Sequence, residues 1–136
     1  MGYLNIDRMN RMSTSAMETF FDKLLRGVIS DHIFFEELPV SISESWKDFI
    51  VVDCLNPFID HDAYGKGTVL IYLYAKQNSF GTKNVKRLAE MEKKLNQAIL
   101  DNDDPYYNVT RRGMYSNYNA VNDIYYNVIQ LTIIIS

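Results

Sequence analysis

Cysteine is nearly absent from the chain. Its 136 residues hold one, Cys54, and only two histidines, His32 and His61. A single thiol excludes an internal disulfide framework and a zinc site made of cysteines alone. Two imidazoles exclude a His-rich metal centre. A basic excess is missing too: 14 Lys and Arg stand against 17 Asp and Glu, for a net charge of -3. General attraction to nucleic-acid phosphates needs the opposite sign. No apolar run approaches the ~20 residues of a membrane span. The stretch MGYLNIDRMNRMSTSAMETFF lacks the apolar core and small-residue cleavage site of a signal peptide. What is present suits one globular domain, with 47% hydrophobic and 23% charged residues. Tyrosine supplies 10 of these, many of them in the last third. An AT-rich coding bias and a contact surface both account for them, since tyrosine gives amphipathic area at low entropy cost.

Residues 1–14 show no clean periodicity and read as an arm before a single domain at 15–136. Ser15-Ala16-Met17-Glu18 matches a capping box. Behind it, Phe20, Phe21, Leu24, Leu25, Val28 and Ile29 recur at helical spacing, predicting a helix from about Ala16 to Ser30. Gly27 inside that helix implies a close neighbour. Residues 31–48 read as irregular. Phe49–Cys54 reads as a strand broken by Asn56-Pro57, and residues 56–67 as a loop. Val69, Ile71, Leu73 and Ala75 alternate with Leu70, Tyr72, Tyr74 and Lys76 in a second strand. A helix capped by Thr82 is predicted from about Lys83 to Leu100, on the stripe Val85, Leu88, Met91, Leu95 and Ile99. Tyr106–Thr110 reads as a strand, Arg111–Ile124 as a long polar-aromatic loop, and Tyr125–Ile135 as the last strand. The expected order is α-β-β-α-β-β. It implies an α+β fold whose four-stranded, mainly antiparallel sheet carries two helices packed on one face.

Asp60-His61-Asp62 groups residue types that bind metals or transfer protons. Neighbours on an extended segment point in different directions, so a solvated loop is the simpler reading. Gly65-Lys66-Gly67 lacks phosphate-loop spacing and leads into a strand, so it reads as a tight turn. Cys54 reads as a small buried residue rather than a nucleophile. Arg111 and Arg112, with Tyr115 and Tyr118, mix cations and aromatics as single-strand binding surfaces do. A polar loop between two strands is the simpler reading; if the loop binds anything, the acidic chain around it favours a protein over nucleic acid. No catalytic residue, metal or cofactor is assigned.

Certain stretches, in this order, resemble the tail terminator and tail-completion proteins of long-tailed bacteriophages and prophages. They are the strand Phe49–Cys54, the strand Gly67–Lys76, a helix after the turn Ser79-Phe80-Gly81-Thr82-Lys83-Asn84, and the apolar last strand Tyr125–Ile135. The resemblance spans roughly 16–136 and rests on pattern, without a signature motif. It implies a structural protein without catalytic residues that forms a ring, six-fold in the best-known members. Such a ring caps the tail tube and meets head-completion, connector or neck proteins. It implies assembly in a bacterial cytoplasm and residence in the virion. Nucleic acid is then a partner only as DNA passing through the ring.

Two other functions compete with this one. The first is a monomeric adaptor that recognises a protein through loops 56–67 and 111–124. The second is a small enzyme or ligand-binding protein using Asp60, His61 and Asp62. The last strand favours self-association. One face of it holds Ile129, Leu131, Ile133 and Ile135, and the other Tyr126, Val128 and Ile134. With Leu70, Tyr72 and Tyr74 beside them, that second face is expected to be bare and apolar. Tyr72, Tyr74, Tyr126 and Ile134 are therefore the expected contact residues.

Overall fold

The computed structural model describes residues 5–39, 41–43, 45–77, 81–119 and 124–136, with the backbone alone at 56–57, 114–119 and 124. Three helices and five strands follow in the order α1 (Ile6–Arg11), α2 (Thr14–Leu25), β1 (Ile33–Phe35), β2 (Asp48–Asp60), β3 (Gly65–Ala75), α3 (Val85–Asp101), β4 (Tyr107–Asn119) and β5 (Ile124–Ile135). The strands form one sheet in the order β1-β2-β3-β5-β4. A further bridge, Arg26 with Ser30, is bonded separately. β1 runs parallel to β2, and the remaining pairs are antiparallel.

The fold is therefore α+β, but the expected four-stranded, mainly antiparallel sheet with two helices is wrong. Among the described residues the sheet is mixed and has an additional strand, and the helices number three. The extra strand comes from the stretch that reads as irregular. Ile33, Phe34 and Phe35 pair with Ile50, Val51 and Val52, too briefly to leave an alternation in the sequence.

The helix-side core follows the predicted faces except at their ends, where Val28, beyond the close of α2, is 46% exposed and Val85, the first residue of α3, is 63% exposed. Phe21 and Leu25 of α2, with Leu88, Met91 and Leu95 of α3, are buried against Ile71, Leu73, Ile129, Leu131 and Ile133. Helix α2 ends earlier than expected. Arg26 leaves helical conformation and Gly27 has φ 74°, the left-handed region that glycine enters without strain. No close neighbour explains this glycine, since the nearest atom to a Cβ there is Asp31 Oδ1 at 4.0 Å. Capping also falls elsewhere. Ser13 Oγ accepts from the Ala16 amide, and Asn84 Oδ1 accepts from the Arg87 amide.

Both predicted loops are mostly strand. β2 continues to Asp60 through an irregular register between Leu55 and Ile59, which is where Pro57 can be accommodated in a sheet. β4 extends to Asn119 with a register shift between Arg111 and Gly113. Residues 120–123 of the expected second loop, and 79–80 of the turn expected at Ser79–Thr82, lie outside the described residues. Residues 6–11 of the arm form α1, whose buried Arg8 donates to both carboxylate oxygens of Asp60, at 3.0 and 3.3 Å, and to the Asp62 carbonyl. Arg11 donates to the Ser136 carbonyl at 2.8 Å and lies 4.0 Å over the Tyr106 ring. No described helix is long and apolar enough to cross a membrane.

Candidate functional site

The polar candidates are structural in their contacts. Asp60 ends β2 and is held by Arg8, and its second partner is the Asp62 amide at 2.8 Å. The Arg8 hydrogen bond holds its carboxyl below the usual carboxylate range. Asp62 turns the chain with φ 68°, and the His61 ring stacks on Tyr64 with centroids 5.0 Å apart. The three adjacent residues thus build the β2–β3 turn, with Asp60 and the Asp62 carbonyl both held by Arg8 and the His61 ring turned to Tyr64. Among the described residues no three His, Cys, Asp or Glu side chains converge.

Gly65 and Gly67 open β3 and serve close packing. A Cβ on Gly65 would meet the Met12 side chain, and one on Gly67 would meet the Phe58 ring. Cys54 is partly buried in β2. Burial, then Asp53, Glu36 and Glu18, push its thiol up from 9.0 to about 12. At pH 8 that leaves about a thousandfold less thiolate than an ordinary cysteine has. Alkylation of the folded protein should be slower by about that factor, and should reach the rate of a free thiol in denaturant. Equal rates in the two states would contradict the burial.

The arginine pair is split by the β4 bulge. Arg111 turns to α3, donating to Glu92 at 2.6 Å and Asn96 at 2.7 Å. Arg112 donates to Thr132 Oγ1 at 3.1 Å on the other side of the sheet. Tyr115 and Tyr118 hold the register positions opposite Val128 and Tyr125, and their side chains lie outside the described residues.

The sheet face turned away from the helices holds the remaining candidates. Phe49 and Tyr74 stack at 4.5 Å, Tyr74 meets Tyr126 at 4.9 Å, and Tyr72 meets Tyr126 at 5.9 Å. This end of the face is covered. Leu38, Ile42 and Trp46 pack on it from the segment between β1 and β2, and Trp46 also stacks on His32 at 4.5 Å. Tyr74 is consequently 4% exposed and Tyr72 and Tyr126 are partly buried. Burial by these neighbours raises the Tyr74 phenol above its ordinary value.

Among the described residues, the cover by Leu38, Ile42 and Trp46 ends beyond Tyr72. The register places Asp53 beside Leu70 and Gln130, Leu55 beside Thr68 and Thr132, and Ile59 beside Lys66 and Ile134. Leu55 is 39% and Ile59 52% exposed, and Leu70 and Ile134 are partly exposed. So the expected contact residues are divided. Tyr74 belongs to the covered end, Ile134 to the open end, and Tyr72 and Tyr126 to the covered aromatic cluster. Leu55 and Ile59 escape a reading of the sequence because Asn56-Pro57 interrupts their alternation, although Val51, Asp53 and Leu55 already share the parity of this face. No protein-family model matches the chain, and no curated protein does.

Proposed function

We propose that this chain is a structural, non-enzymatic subunit of a bacteriophage or prophage particle, at the tail end or the head–tail junction. In this reading it is a ring-forming tail terminator, tail-completion or neck protein, assembled in the bacterial host and kept in the virion. The partners are further copies of the chain, the tail tube, and head-completion or connector proteins. The observation that carries the reading is the half of this sheet face left open among the described residues, where Leu55, Ile59, Leu70 and Ile134 are interleaved with Asp53, Lys66, Thr68 and Gln130 into a mixed apolar and polar surface. The rest of that face is already filled by the chain's own residues, so the open half is a defined surface rather than an unfinished core. A rigid sheet with helices on one side and such a patch on the other can join neighbours without bond chemistry.

Carboxylates placed at Leu70 and Ile134 test this. Both lie on the open face, so Leu70→Asp with Ile134→Asp should leave the domain folded while particles fail to join heads to tails. Electron microscopy of lysates from the corresponding phage should show separate heads and tails. Full assembly with this variant would overturn the reading. The adaptor alternative has lost most of its two loops to β2, β3 and β4. A variant that binds one protein normally as a monomer, and is absent from particles, would favour it.

A further inference from the structure

The two ends of α3 carry charges opposite to those a helix favours within its own chain. Its first turn holds Lys86 and Arg87 and no acid, with Lys83 just before. Its last turn holds Asp101 and no base, with Asp103 and Asp104 just beyond. The helix dipole prefers acids at the start and bases at the end. Arg87 has its answer in Asp48 and Glu90, but Lys86 is exposed and next to Val85, itself 63% exposed. At the other end lies a cleft of about 540 Å³ between α2 and the close of α3. Phe20, Leu24, Val28 and Ala98 supply its apolar part, and Asp103, Lys23 and Asp101, which accepts from Gln97 Nε2 at 2.9 Å, also line it. Asp104 is engaged by the Tyr106 amide at 2.9 Å.

We infer that this acidic, apolar cleft receives the basic, apolar start of α3, Lys83–Lys86, from a second copy of the chain. Sign and hydrophobicity match at the two places. They are separated by the length of a 17-residue helix, about 25 Å, so one molecule cannot join them to itself. Head-to-tail docking would also set the positive end of one helix dipole against the negative end of the next. A contact between different surfaces of identical chains propagates, closing as a ring if the rotation allows. The inference deepens the function proposed above and rests on it only for self-association.

Two charge reversals test it, with mass measured by light scattering on the purified full chain at low ionic strength. Asp101→Lys with Asp103→Lys makes both ends of α3 basic, and Lys83→Glu with Lys86→Glu makes both acidic. Each variant alone should self-associate at least about tenfold more weakly than the original chain, because like charges then face each other. Each should melt no lower than the original, because its charges now suit the dipole. An equimolar mixture should recover the original mass, since every contact in an alternating assembly again joins opposite signs. If the variants associate like the original chain, or the mixture fails to recover, the α3 contact is wrong while a role in the particle still stands. An original chain that stays monomeric in this assay also overturns the contact, and particle assembly then judges the proposed function separately.

Discussion

Arg87→Ala is expected to lower the stability of the domain by about 3 kcal/mol, because it strands a buried carboxylate. Asp48 begins β2 and is 7% exposed. Arg87 Nε donates to its Oδ2 at 2.6 Å, and Nη2 donates to the same oxygen. This pair ties the first turn of α3 to the edge of the sheet, beside the Ser30 hydroxyl, which donates to the Asp48 carbonyl at 3.3 Å. Urea unfolding followed by circular dichroism measures the loss. Arg87→Lys should recover only part of it, since an ammonium cannot reproduce the guanidinium fork. Adding Asp48→Asn to Arg87→Ala should recover most of it by removing the stranded charge. A loss below about 1 kcal/mol would mean that the pair behaves as a solvated surface bridge.

Gly67→Val should be similarly damaging, by about 3 kcal/mol, through overpacking. A Cβ at position 67 would lie within 3.0 Å of three carbons of the Phe58 ring, before the valine methyls are counted. Gly67 sits in the middle of the sheet, between β2 and the Ile133 position of β5, so its backbone has no room to retreat. The ring must leave instead. Phe58→Ala in the same chain should therefore make Gly67→Val far less harmful, and a double-mutant cycle reads that coupling directly. Additive losses would place Phe58 away from the glycine.

The parts of the fold that the sequence shows are those with a long period and one buried face. Of the stripe Val85, Leu88, Met91, Leu95 and Ile99, the middle three are buried and Ile99 partly so, while Val85 at the helix start is exposed; the row Ile129, Leu131, Ile133 and Ile135 is buried throughout. The hidden parts depend on partners distant in the chain. Arg8 looks like a solvated arm residue until Asp60 is brought beside it, and α1 is too short to show a period. Leu38, Ile42 and Trp46 have no regular spacing, because they cover a sheet from an irregular segment. Pro57 and the pair Arg111-Arg112 mimic loop signals where bulges keep the strands running. The open end of the face is legible at Leu70 and Ile134 and concealed at Leu55 and Ile59 for the same reason.

The strand order also sets a sequence of events in time. β2 with β3, and β4 with β5, are neighbours along the chain and can pair with little chain between them. The seam that unites them pairs Gly65 with Ile135 and Ala75 with Tyr125, across the whole of α3 and β4. Closing so long a loop costs entropy before any contact repays it. Two hairpins should therefore form early in refolding, and the β3–β5 seam should set the observed rate. Substitutions at Ile71 or Ile129 would slow that step more than equally destabilising ones in α1, which docks onto a sheet already made.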